Sequence, residues 1–219
     1  MGEAQQPVVV VPSASKSPSL LNHLVSLDAK LSLHFYNAFQ FCPRYLLKAL
    51  EVSGDGRLWF PIPVALSLSS KSPYLRFVLL FIFLGCLFDL LLVGSIKVLV
   101  RRPRPVYNKG MHLVFAADHW SFPSGHSSRV FLIANCLYLS SDPLVEAVKE
   151  FKYSGWDVPD GEVVWYSFLV VFIWSILTSA SRILLGRHYV FDVVAGSCLG
   201  VVEALLVSYF LNAFPIYSV

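Results

Sequence analysis

A chain of 219 residues that is 56% hydrophobic and only 14% charged lacks the polar surface of a water-soluble domain, where about 25% charged residues is usual. The length suits one domain. The net charge of +3, with basic residues gathered in loops and short motifs and not in a stripe, gives no footprint for nucleic acid.

Residues 1–19 hold Pro, Ser, Gln and Val without helical period and read as a mobile tail. Met1 to Gln6 has no basic stretch leading into an apolar core, so it is not a signal peptide. Gln6 breaks the myristoylation pattern that Gly2 would open. From Leu20 the pattern changes. Leu20, Leu24, Leu27, Leu31 and Phe35 recur at spacings of three and four, interrupted by His23, Asp28 and Lys30. This predicts an amphipathic interfacial segment over 20–52, its helix lying on the membrane surface. Ser53-Gly54-Asp55-Gly56 is a turn.

The run Leu58 to Ser70 is short and holds Pro61 and Pro63, a weak candidate for a first span. Residues 77–96 form a second span with Asp89 its only charge before Lys97. About 20 residues at 1.5 Å rise match a hydrocarbon core of about 30 Å. Val130 to Ser140 becomes a third span if its helix begins near Ser124. Residues 141–161 read as a polar loop with Pro143, Gly155 and Pro159. Val163 to Ala180 is a fourth span, and Tyr189 to Leu211, with Asp192 and Glu203, a fifth. Residues 212–219 are a C-terminal tail. The cysteines Cys42, Cys86, Cys136 and Cys198 show no CxxC or secreted framework and read as small apolar residues. Only helices or closed barrels satisfy the backbone in lipid, and these runs are helix-length. The expected fold is all-α, a polytopic transmembrane helical bundle of about five spans plus the N-terminal interfacial helix, with residues 53–211 as the membrane domain.

Alternating spans bring three polar clusters to one membrane interface. The first is Lys97-Val-Leu-Val-Arg-Arg-Pro-Arg104-Pro105. Basic residues at a membrane edge often only set topology, but Pro103 and Pro105 stiffen the chain around Arg104 and suggest a fixed guanidinium suited to phosphate. The second is Pro123-Ser124-Gly125-His126-Ser127, directly before an apolar helix. A helix start there exposes N–H groups to an anion, and Gly125 allows close approach to the backbone; a plain helix cap is the alternative. The third is Ser181-Arg182, Gly186-Arg187-His188 and Asp192. His188 and Asp192 are i and i+4, so the carboxylate can hold one imidazole nitrogen and leave the other to attack. In one continuous helix Arg182 and His188 would point about 120° apart; Gly186 offers the bend that lets both face one ligand. Metal binding by His126, His188 and Asp192 competes with this reading, but a phosphate metal site usually wants several carboxylates.

Lys97, Arg104 and Pro105; Pro123 to His126; and Ser181, Arg182, His188 and Asp192 together resemble the three-part signature of the type 2 phosphatidic acid phosphatase superfamily, the lipid phosphate phosphatases. The resemblance spans roughly residues 53–211 and departs at no motif position. It implies that His188 is the nucleophile, forming a phosphohistidine, that Asp192 orients it, and that His126 protonates the leaving group. Lys97, Arg104 and Arg182, with Ser124 and the Gly125 amide, would bind the phosphoryl oxygens. It also implies no metal and no cofactor. The short chain looks most like plant short lipid phosphate phosphatases and animal polyisoprenoid diphosphate phosphatases. Phosphatidic acid and isoprenoid diphosphates are therefore the expected lipid substrates, with the bilayer as the other partner. A catalytically silent scaffold, or a phosphatase of the same superfamily acting on a non-lipid ester, are the alternatives.

With five spans, Lys and Arg number twelve on the N-terminal and motif side against four opposite, which places the motifs in the cytosol. If Leu58–Ser70 fails to cross, the balance becomes seven against nine and the bias is lost. The expected location is the endoplasmic reticulum membrane with a cytosolic site. Asp89 and Glu203 are charges within spans and read as structural pairs, Asp89 with Lys97. Asp118, His119 and Trp120 either shape a substrate entrance or anchor their loop.

Overall fold

A computed structural model describes residues 20–107, 119–152 and 160–213; the two terminal tails up to Ser19 and beyond Ala213, and Asp118, Gly155 and Pro159, lie outside it. Among the described residues the chain is helical, with α1 Leu20–Ala38, α2 Arg44–Ser53, α3 Gly56–Trp59, α4 Pro61–Ser69, α5 Pro73–Val100, α6 Gly125–Leu139, α7 Ser141–Lys152, α8 Asp160–Leu184 and α9 Val190–Ala213.

Local chemistry sets the ends of these helices. Ser72 caps α5, its hydroxyl accepting from Leu75 N–H, and Pro73 takes the first helical position. The helix runs 28 residues to Arg101, which turns left-handed at φ 51° just before Pro103. Helix α6 does begin at Gly125, with Ser124 as its cap. The Leu58–Ser70 run corrects the expected span count. Its main helix, α4, has 9 residues, about 13 Å of rise, too short to cross. Among the described residues three helices, Pro73–Val100, Glu162–Leu184 and Val190–Leu211, are long and apolar enough to cross. A fourth crossing exists if α6 and α7, bent by 70°, form one broken span. The charge argument for a cytosolic site loses its premise with the first span.

The polar loop expected at 141–161 is also corrected over its described part. Asp142 sits in the first turn of α7, where a carboxylate suits the helix dipole. Lys149 reaches Glu146 at 2.7 Å across one turn.

Helix α6 is the hub. Val130, Leu132, Ile133, Ala134 and Cys136 are all buried. They lie among α5, α8 and α9, and Val78, Phe81, Ile82 and Cys86 of α5 and Ala204 of α9 complete the core. The sequence Gly196-Ser-Cys-Leu-Gly200 lets α9 lie directly on α6. A Cβ at Gly196 would stand 2.4 Å from the Ser124 carbonyl oxygen, and one at Gly200 2.0 Å from that of Ser128. Such small-residue spacing is how helix backbones approach in lipid. The bundle exterior is apolar: Leu91, Leu99, Trp165, Val170, Ile176, Leu205 and Tyr209 are exposed.

Inside the bundle, Asp89 pairs with Arg129 of α6 at 2.9 Å, not with Lys97 as expected. Two helical turns separate Asp89 from Lys97, whereas Arg129 faces it across the α5–α6 contact. Glu203 accepts from Ser128 Oγ at 3.2 Å. The end of α5 and the starts of α6 and α9 meet the end of α8, so the three polar clusters converge. Ser121 N–H donates to the Arg102 carbonyl at 2.8 Å and Ser124 N–H to that of Asp192 at 2.9 Å.

Candidate active site

The site is built on how α8 stops. Arg187 N–H donates to the Arg182 carbonyl and Gly186 N–H to that of Ile183, both at 2.9 Å, with Gly186 at φ +70°. This is a Schellman termination with glycine at the left-handed position. A Cβ at Gly186 would also strike Tyr107 at 2.8 Å and meet Tyr36 at 3.3 Å, two rings tilted by 36° with centroids 4.6 Å apart. The expected bend at Gly186 is there, and it turns His188 back under the bundle.

His188 is 2% exposed. Its Nδ1 lies 2.8 Å from the Ser121 carbonyl oxygen, which can only accept, so Nδ1 carries the proton. The lone pair is then on Nε2, which receives Arg104 Nη1–H at 3.1 Å. The same Arg104 nitrogen donates to the Arg187 carbonyl at 2.8 Å, which fixes the guanidinium between Pro103 and Pro105 as the sequence led us to expect. Burial first, then the charges of Arg104, Arg182 and Lys97, hold the His188 ring well below the usual imidazole range. It is a neutral base at pH 7.

Asp192, wholly buried, stands 3.6 Å from His188 Nδ1, near enough to feel its charge and too far for a hydrogen bond. Its Oδ2 accepts from Tyr189 N–H at 2.9 Å, capping α9 from the third helical position. Its Oδ1 accepts from Arg102 Nη1 at 2.7 Å. The direct hydrogen bond to His188 therefore comes from the backbone at Ser121.

Across from His188, His126 occupies the first turn of α6. Its Nε2 is buried and has no hydrogen-bond partner among the described residues, a condition that marks a place for something else to bind. Arg182, His188 and Lys97 lie within electrostatic range of it. Ser124, also buried, accepts from Ser127 Oγ at 2.9 Å and from Ser127 N–H at 3.4 Å, so its hydroxyl is engaged in capping α6. Gly125 has room: a Cβ there would touch only Val93, at 3.4 Å. Lys97, 6% exposed, closes the last turn of α5.

Arg182 is 1% exposed and pairs with Glu51 of α2 at 2.5 Å; Glu51 also takes Arg187 Nε at 3.2 Å. Burial pushes the Glu51 carboxyl up, but the two guanidinium groups outweigh it and hold the acid below its ordinary range. The following turn is pinned over the site: Trp59 Nε1 donates to the Ser53 carbonyl at 2.7 Å and Trp174 Nε1 to Ser53 Oγ at 2.9 Å. Gly54 then packs against Thr178, Val130 and His126.

All eight residues singled out in the sequence thus gather at one end of the bundle. Sequence reasoning missed Glu51, the Ser121 carbonyl, and the Asp28 and Arg102 pair. Of these, Asp28 gave a signal as a charge interrupting the apolar period of α1, and Arg102 as a member of the basic run. Trp120 forms a bridge with Pro103, an anchor for its loop. Among the described residues no three His, Cys, Asp or Glu side chains stand close enough to hold a metal ion.

The family model of the PAP2 superfamily matches residues 75–215. A curated relative from Arabidopsis thaliana, "Probable lipid phosphate phosphatase beta", is 43% identical over 207 residues, covering 91% of this chain and 96% of the relative. Among solved structures, a transmembrane PAP2-type phosphatidylglycerolphosphate phosphatase from Bacillus subtilis aligns with TM-score 0.68 at 22% identity, covering 90% of each chain. Aquifex aeolicus LpxE aligns with TM-score 0.58 at 22% identity, over 83% of this chain and 94% of that one. At that identity these two establish a shared fold.

Proposed function

The chain belongs to the PAP2 superfamily, and on that premise we propose that it is an integral membrane lipid phosphate or diphosphate phosphohydrolase that works through a phosphohistidine on His188 without a metal. The observation that carries the reading is the state of the two histidines. His188 presents a lone pair on Nε2 with Nδ1 tied down, and His126 presents a buried, unpartnered Nε2.

In this reading the substrate phosphate enters among Lys97, Arg104, Arg182 and the Gly125 amide. Arg104 exchanges its hydrogen bond with Nε2 for one with a phosphoryl oxygen, which uncovers the nucleophile. Nε2 bonds to phosphorus as the P–O bond to the lipid breaks, and His126 gives its proton to the leaving oxygen. The ring now carries positive charge, balanced by Asp192. Water then attacks phosphorus while His126 takes its proton. The P–N bond breaks with its electrons returning to Nε2, and inorganic phosphate leaves. The cations stabilise the transition state, the role a metal ion plays elsewhere. Ser124 supports the pocket by holding the start of α6.

The lipid assignment is supported by the bundle's apolar exterior and by the name of the Arabidopsis relative. Phosphatidic acid and isoprenoid diphosphates are the proposed substrates, in the endoplasmic reticulum membrane. The test is phosphate release from a panel of phosphatidic acid, farnesyl diphosphate and a soluble sugar phosphate in detergent, with EDTA. Turnover of the lipids that survives EDTA is expected. Loss with EDTA would overturn the metal-free step, turnover of the sugar phosphate alone the lipid assignment, and no turnover of any substrate would leave a silent scaffold.

A further inference from the structure

Helix α1 lies outside the segment that the family model matches, yet its two buried polar residues reach the turn that opens α9. Asp28 and Ser32 are wholly buried. Asp28 Oδ2 pairs with Arg102 Nη2 at 2.7 Å, and Arg102 Nη1 pairs with Asp192 Oδ1 at the same distance. The guanidinium also lies over the Tyr189 ring, 4.0 Å from its centre. Asp28 Oδ1 accepts from Phe191 N–H at 3.0 Å, and Ser32 Oγ accepts from Val190 N–H at 2.9 Å. Helix α1 therefore supplies the caps for the start of α9, the turn that carries Asp192.

We propose that Asp28 is a positioning residue for the nucleophile, acting on His188 through Arg102 and Asp192. The geometry gives the reason. A guanidinium with one carboxylate partner would close onto Asp192 and neutralise it. With Asp28 on the opposite edge, Arg102 is shared between two carboxylates, and the group of three carries a net charge of −1. That charge faces His188 Nδ1 through the second oxygen of Asp192, 3.6 Å away. It has no role while the ring is neutral. It acts when Nε2 bonds to phosphorus and the ring becomes positive, so Asp28 lowers the barrier to the chemical step without touching the substrate. The apolar flanks of α1, Leu20, Leu24, Leu27 and Leu31, remain exposed.

This inference rests on His188 being the nucleophile, and the experiment separates the two. Turnover of phosphatidic acid in mixed micelles is measured for the full chain and for His188→Ala, Asp28→Asn, Arg102→Lys and Ser32→Ala. Thermal unfolding is followed in the same detergent. Asp28→Asn is expected to lower kcat about tenfold or more with KM nearly unchanged, the scale on which support behind a working imidazole acts. Arg102→Lys keeps a charge but cannot span both carboxylates, and the same loss is expected. Ser32→Ala removes one α1–α9 bond and no charge, and should retain wild-type kcat. Wild-type kcat in either Asp28→Asn or Arg102→Lys overturns the proposal, as does an equal loss in Ser32→Ala, which would make α1 a docking element only. If Asp28→Asn does not fold, Arg102→Lys decides the question. Activity retained in His188→Ala would instead overturn the function on which the proposal rests.

Discussion

The two ring nitrogens of His188 have different partners, and that difference sets the pH behaviour. The base is held well below the ordinary imidazole value by burial and by three cations. In the proposed mechanism its unprotonated form is the active one, so activity rises with pH through that low value, and the proton that His126 must donate closes the profile on its alkaline side. The acid limb of kcat/KM should therefore lie below pH 6.5. Arg104→Gln removes a cation beside Nε2 and should move the limb to higher pH while raising KM; a limb at or above pH 6.5 in the wild type would contradict the assignment. For His126 the expected loss in His126→Ala is about 10²- to 10⁴-fold in kcat, the range for a general acid. It should be larger for an alkyl phosphate than for p-nitrophenyl phosphate, whose leaving group needs no proton. Equal losses on both substrates would remove His126 from that role. At this scale the sequence was most informative where side chains do the work: His126, His188, Arg104 and Arg182 stand in motifs with fixed spacing. It was silent where the backbone does the work, as at the Ser121 carbonyl. It was also silent for Glu51, which lies far along the chain from Arg182 and acquires its role only when α2 folds over α8.

Between elements, the tightest contact is α9 on α6. Gly200→Ala would put a carbon 2.0 Å from the Ser128 carbonyl oxygen, so the helices must part. Overpacking of this kind costs about 1–3 kcal/mol, read as a lower midpoint of thermal inactivation in detergent, and an unchanged midpoint would refute the contact. Asp89→Ala would leave Arg129 buried without its carboxylate, at a cost of about 3–5 kcal/mol; the same assay should show a larger drop than for Gly200→Ala. Helices α5, α8 and α9 are legible because lipid-length apolar runs have few alternatives, and α1 because its apolar residues recur at three and four. Helix α7 reads as loop in the sequence because its Pro143 and charged residues look like punctuation, although Pro is tolerated in a first turn. The Leu58–Ser70 run misled for a related reason: apolar composition was present but length was not, and Pro61 starts a new helix at α4. Asp89 reads as a structural pair in the sequence and is one, but its partner Arg129 is not legible there, because spacing along one helix is visible in sequence and the face of a neighbouring helix is not.

For the whole molecule, the bundle holds three cationic side chains and two histidines at one end of an apolar body. The ends of α5 and α8 and the starts of α6 and α9 meet there, and these four helices carry all eight of the residues or the turns that hold them. The segments before α5 add the cover: Glu51 and Gly54 over Arg182 and His126, and Asp28 behind Asp192. Their part was not legible because it depends on contacts between residues more than seventy positions apart. The central claim is that His188 Nε2 carries the phosphoryl group between lipid and water. Rapid acid-free quenching of the enzyme with ³²P-labelled phosphatidic acid, followed by peptide mapping, tests it most directly. Label on His188, acid-labile and absent in His188→Ala, is the predicted result. Label on another residue, or undiminished turnover in His188→Ala, would contradict it.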